Sequence, residues 1–152
     1  MAVTAHVYNH TSALVAGQAV DMDNLKLMLL TSSASFTASD TGVDAVAGAA
    51  TPDRAYEVYG NGWVQGGEMV ASVAASTIST NGAKLSGAQT SEVATGGPIG
   101  PCRYVLLYDA TSDKPLILYD LGQDEYAGET TAFKLTFDLT GGTDAFITVS
   151  VV

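Results

Sequence analysis

Two runs of strict apolar/polar alternation close the sequence, and they constrain the chain more than any other feature. Phe133, Leu135, Phe137 and Leu139 alternate with Lys134, Thr136 and Asp138; Ala145, Ile147, Val149 and Val151 alternate with Phe146, Thr148 and Ser150. Successive residues of a strand point to opposite faces, so a period of two puts one row in a core and the other outside it. Between the runs stand Thr140, Gly141, Gly142, Thr143 and Asp144, a glycine-centred turn. The pair reads as an antiparallel hairpin with one face buried.

Further strands are legible upstream. In Asn24 to Thr31, Leu25, Leu27 and Leu29 fall on one side and Lys26, Met28 and Leu30 on the other, the pattern of a mostly buried strand. The runs around Tyr104–Leu107 and Leu116–Leu118 are joined by a turn at Ala110 to Lys114. A strand-like stretch covers Glu68 to Ser79, and Asn81-Gly82 signals a tight hairpin because primed turns need positive φ at both central residues. Asn61, Gly62, Gly66 and Gly67 mark a bend beside Trp63, and Ser91 to Pro101 reads as a punctuated loop. At least six short strands at this spacing predict a mainly β chain: one antiparallel β-sandwich or jelly-roll-like domain over 1–152. A helix is expected over Thr4 to Ala16, within an N-terminal helical segment 1–22, with Gly17 at its C-terminal cap. Residues 32–53 are small and polar and read as a long loop or arm, a candidate for partner contact.

Composition removes several classes of function. The chain carries 16 acidic residues against 6 Lys and Arg, a formal net charge of −10, with only 14% of residues charged. The six cations are spread singly, whereas a phosphate-backbone surface needs them clustered, so neither nucleic acid nor an anionic membrane is an expected partner. No run approaches the roughly 18 apolar residues of a membrane span, and no basic segment precedes the apolar runs near the start; synthesis in the cytoplasm without an export address is expected. The single Cys102 excludes an internal disulfide and reads as a small core residue.

Candidate chemistry is sparse. His6 and His10 have i, i+4 spacing, which on a helix would present two imidazoles to a metal, but no HExxH glutamate accompanies them. Asp109, Asp113, Asp120, Asp124 and Glu125 flank strand ends without EF-hand spacing and read as solvated turn carboxylates. Gly60 to Gly67 lacks the spacing and the strand-to-helix context of a nucleotide loop. With no GxSxG or Walker motif, no catalytic, cofactor-binding or metal-binding residue is assigned, and a non-enzymatic role is expected.

The order of Val7-Tyr8-Asn9, the strand Asp23 to Ser33, the stretch Tyr56 to Gly67, then Arg103 to Asp109 and Pro115 to Gly122 resembles a widespread group of small tailed-bacteriophage virion proteins. Trp63 stands where that group usually has Tyr, and Leu121 where it usually has Phe. The resemblance implies a β-sandwich on the outer surface of the capsid, a head decoration (cement) protein that binds the major capsid protein, commonly as a homotrimer. Relatives labelled tail or fibre proteins leave a tail, neck or fibre-associated role open, and a carbohydrate-binding module using Trp63 and tyrosines as a stacking platform is a third reading. For assembly or docking, the aromatic side chains Tyr8, Phe36, Tyr59 and Trp63 are the candidate interface residues.

Overall fold

A computed structural model describes residues 3–43, 54–78, 82–137 and 147–151. Its strands are β1 (Thr4–Val7), β2 (Leu25–Leu30), β3 (Glu57–Val58), β4 (Glu68–Met69), β5 (Ala74–Ile78), β6 (Gly82–Ser86), β7 (Thr90–Val93), β8 (Ile99–Asp109), β9 (Lys114–Ala127), β10 (Ala132–Phe137) and β11 (Ile147–Val151), with one α-helix, α1 (Thr11–Ala16), among the described residues. All pairings are antiparallel. The main sheet runs β1-β9-β8-β2-β3 with β4 also on β2; a second runs β11-β10-β7; β5 and β6 pair with each other. The mainly β, antiparallel, sandwich-like fold read from the sequence is what the chain adopts.

β2 explains the layering. Leu25, Leu27 and Leu29 join one core with Val105, Leu107, Tyr119, Trp63 and, from the second sheet, Phe133 and Leu135. Met28 and Leu30 point the other way and join Tyr8, Leu106, Tyr108, Leu118, Ala34 and Val43. A strand apolar on both faces must be covered on both, here by a sheet on one side and by irregular chain on the other. The terminal hairpin has the expected register, with Phe133 opposite Val151 and Leu135 opposite Val149. Its turn, with Leu139 and Ala145, lies outside the described residues.

Several expectations are corrected. The segment Thr4 to Ala16 is not one helix: Thr4–Val7 is an edge strand on β9, and only Thr11–Ala16 is helical, ending at Gly17. The competing force is backbone pairing. Leu116 O accepts from Tyr8 N at 3.1 Å and from Thr11 Oγ1 at 2.8 Å, which fixes the corner between strand and helix on β9. His6 therefore sits on a strand and His10 before the helix, so they share no helix face. Of the loop read over Ser91 to Pro101, Ser91 to Val93 belong to strand β7, because the strongly patterned β10 supplies a partner, and Ile99 to Pro101 open β8. Within the 32–53 arm, residues 32–43 are irregular as expected, but Ala34, Phe36 and Val43 cover this chain's own core; residues 44–53 lie outside the described residues. Arm and framework meet at the β8–β9 turn, where Asp113 O accepts from Val43 N and the Asp113 carboxylate pairs with Arg54.

β3 and β4 are two pieces of one edge strand. Glu57 and Val58 lie opposite Leu30 and Leu29, and Glu68 and Met69 opposite Leu27 and Lys26, so the chain leaves β2 after Val58 and returns beside it. Residues 59–67 form the excursion. At its tip Gly60 N donates to Trp63 O at 2.8 Å and Trp63 N to Gly60 O at 3.0 Å, with φ of +54° at Asn61 and +114° at Gly62. This is a two-residue Asn-Gly hairpin turn of the primed kind. The sequence contains a second Asn-Gly at 81–82, and the hairpin it signals forms between β5 and β6, with Gly82 opposite Ile78; residues 79–81 lie outside the described residues. At the root of the excursion Gly67 has φ +85°, and a Cβ there would stand 2.4 Å from Leu27 O and 2.9 Å from Met28 N. Only glycine lets the chain return this close to β2. Gly67→Ala should cost on the order of 2–3 kcal/mol in urea or thermal unfolding. Gly42→Ala, with open space around it and no positive φ, should stay within about 0.5 kcal/mol.

Candidate functional site

The four interface candidates divide by burial. Trp63 is 2% exposed and packs edge-on against Phe133 at 5.7 Å between ring centroids. Tyr8 is buried between His10 and Phe36, with Phe36 at 4.9 Å. Neither Trp63 Nε1 nor the Tyr8 hydroxyl has a hydrogen-bond partner among the described residues, so both rings are held by packing. Their surface is spent inside the chain, which corrects the expectation that they dock. It also takes Trp63 out of the stacking platform of the carbohydrate reading, since a buried indole offers a sugar no face. Phe36 is half-buried against Tyr8 and His6. Tyr59 alone of the four is exposed, at 55%.

Parity along the hairpin explains both outcomes. Strand side chains alternate, so when Trp63 points inward, Val64 points out, and Tyr59, the position facing it beyond the Gly60–Trp63 bridge, shares its side. Val64 is also 55% exposed. Sequence reading missed Val64, although its place next to the single tryptophan, which fills the core, was the signal. Met69, Val93 and Tyr126 are further exposed apolar side chains it did not single out.

The hairpin is held on several sides. The Gly66 amide donates to Glu57 Oε1, and the Tyr108 hydroxyl donates to Gly66 O. Thr95 N donates to Asn61 O at 2.8 Å and Asn61 Nδ2 to Pro98 O at 2.7 Å, tying the tip to the loop between the sheets. Val64 N donates to Glu68 Oε1 at 2.8 Å. Burial pushes the Glu57 carboxyl above the ordinary value, against the pull of the Gly66 and Gly67 amides, Arg54 and Lys26. The Arg54 guanidinium lies 5.4 Å from the Tyr108 ring centroid, closing this side of the excursion.

Of the carboxylates read as solvated turn residues, Asp109, Asp113, Asp120 and Glu125 each have a side-chain partner, and Asp109 is not solvated. Asp109 is buried, and although burial raises its pKa, hydrogen bonds from Ser112 Oγ and the amides of Asp21, Thr111 and Ser112 hold it below the ordinary value. Asp120 is held down chiefly by its hydrogen bond from Arg103 Nε at 2.6 Å. His10 Nε2 donates to Pro115 O at 2.6 Å. Among the described residues no group of three or more His, Cys, Asp or Glu could hold a metal ion, and no helix is long and apolar enough to cross a membrane. Cys102 is buried, and burial first, then Glu125 and Asp124, push its thiol up to about 12, so it is no thiolate nucleophile near neutral pH.

No family model matches the chain, nor does any curated protein or solved structure.

The carboxylates predict the course of stability with pH. Asp109 and Asp120, lowered in the native state, contribute above the ordinary aspartate value of 3.8 and lose that contribution as pH falls through their native values. Glu57 and Glu92, raised in the native state, act in the opposite sense: their contribution is complete below 4.5 and fades as pH rises through their native values. Thermal melts should therefore rise modestly from neutral pH into the weakly acidic range and fall below about pH 4. Asp120→Asn should flatten the acid limb.

Proposed function

We propose that this chain is a non-enzymatic structural protein of a bacteriophage virion: a capsid decoration (cement) protein that binds the outer capsid surface as a homo-oligomer, a trimer, and stabilises contacts between major capsid subunits. The observation that carries the reading is where the residues of the resemblance stand. Asp23 to Ser33, Arg103 to Asp109 and Pro115 to Gly122 carry β2 and most of the paired length of β8 and β9, the three central strands, and Tyr56 to Gly67 carries β3 and the excursion pinned on them. A resemblance made of framework residues supports a shared scaffold. The role drawn from it fits the physical character of the chain.

A cement protein works by interfaces. It needs a rigid body, some apolar side chains held outside the core, and a charge that avoids the packaged DNA. The doubly covered β2, the exposed Tyr59 and Val64 on a fastened hairpin, and the net charge of −10 meet these needs. Purified protein added to shells assembled without it should co-sediment with them and raise the temperature at which they break. Protein that stays in the supernatant and leaves the melting unchanged would overturn the proposal, as would density for the chain at the tail of an intact particle.

A further inference from the structure

The 59–67 hairpin crosses the open flank of the sandwich, from the main sheet to the edge of the second. Its inward residue Trp63 fills the gap against Phe133, while the tip backbone rests on β7: a Cβ on Gly62 would lie 2.6 Å from Val93 O. Two carboxylates border this flank. Glu68, opposite Leu27, and Glu92, opposite Phe133, share the faces of those core residues but stand on edge strands at the margins of the two sheets, where both are only half-buried. Burial first, and then the charge of Glu68, raise the pKa of Glu92.

Among the described residues no cation neutralises them. The cations on the neighbouring strands have the wrong parity: Lys26 lies opposite Met69 and Lys134 opposite Ser91, each on the other face of its sheet. Among the described residues neither Glu68 nor Glu92 forms an ion pair. Beside this uncompensated pair stand Tyr59 and Val64, apolar, outward and already fixed in place. A tyrosine and an aliphatic side chain on a preorganised support lose little freedom on binding, the property of an interface anchor.

We propose that the outward face of this hairpin, Tyr59 and Val64 bordered by Glu68 and Glu92, is the surface that seats the protein on the capsid, against a patch with an apolar centre and a rim of Lys and Arg. The partner's chemistry follows from the charges: cations complete the two carboxylates. A second copy of this chain fits less well: a twofold contact here brings the carboxylates toward their own symmetry mates, and with 6 Lys and Arg against 16 acidic residues another copy has few cations to offer in the head-to-tail contact of a trimer. The identity of the partner rests on the decoration reading above.

Binding to shells assembled without the protein, followed by co-sedimentation across a salt series, tests the surface. Tyr59→Ser with Val64→Ser should weaken binding by about tenfold or more. Glu68→Gln with Glu92→Gln, which keeps an acceptor for Val64 N, should bind more weakly at low salt and lose most of the salt dependence. Val15→Ser, an exposed apolar residue on α1, should bind as wild type; thermal melts of all variants should match wild type closely. Wild-type protein that binds while the hairpin variants bind equally well overturns this surface and leaves the decoration reading standing. Wild-type protein that does not bind overturns both. A wild-type oligomer that dissociates in the Tyr59/Val64 variant would assign the face to a second copy and overturn the capsid partner.

Discussion

β2 is apolar at every position except Lys26, and a strand of that kind in the middle of a sheet obliges the rest of the chain to supply two covers. One is the second sheet, which turns the apolar row of β10 toward Leu25, Leu27 and Leu29. The other is an assembly of loops: Tyr8 from the corner after β1, Ala34, Phe36 and Val43 from the arm, and Tyr56 before β3. Loops make a sound cover only when their backbone groups find partners. Here Asn9 N donates to Ala38 O, Thr31 N to Tyr56 O and Val43 N to Asp113 O, each at 2.9 Å.

The same constraint shapes the flank. Since β2 is filled on both faces, an excursion from its edge partner cannot cross either face and instead folds over the side of the sandwich. Trp63 then closes the gap that two sheets leave where their edges diverge, and everything outward on the hairpin is held by an anchor within the core. Glu57, Tyr108 and Arg54 secure the root from the opposite face, so the exposed pair at Tyr59 and Val64 is supported from both sides of the main sheet.

Legibility in the sequence followed how local each determinant is. The alternation of Phe133 to Phe137 and of Ile147 to Val151, and the two-sided pattern of Leu25 to Leu30, are encoded residue by residue and were readable. β1 was not: Thr4–Val7 is a strand because β9 is there to pair with it, and its apolar spacing also satisfies a helix. Thr90–Val93 was hidden for the same reason. The Asn-Gly at 81–82 is a local determinant as well, and the hairpin of β5 and β6 forms around it. At the surface, aromatic character pointed to four residues without telling which face each would take. Trp63 and Tyr8 went inward because large rings are worth most in a core, and Val64, less conspicuous as a residue type, came out by parity.

β3 and β4 hold one continuous antiparallel relation to β2 on either side of residues 59–67. All of the segment between them but Gly67, which lies beside Met28, is therefore, in topological terms, an insertion into one strand. Its tip can lengthen, shorten or change sequence without re-pairing any strand, provided Gly67 and an inward aromatic remain. The scaffold can thus keep its architecture while the hairpin diversifies, which allows one fold to follow a changing surface.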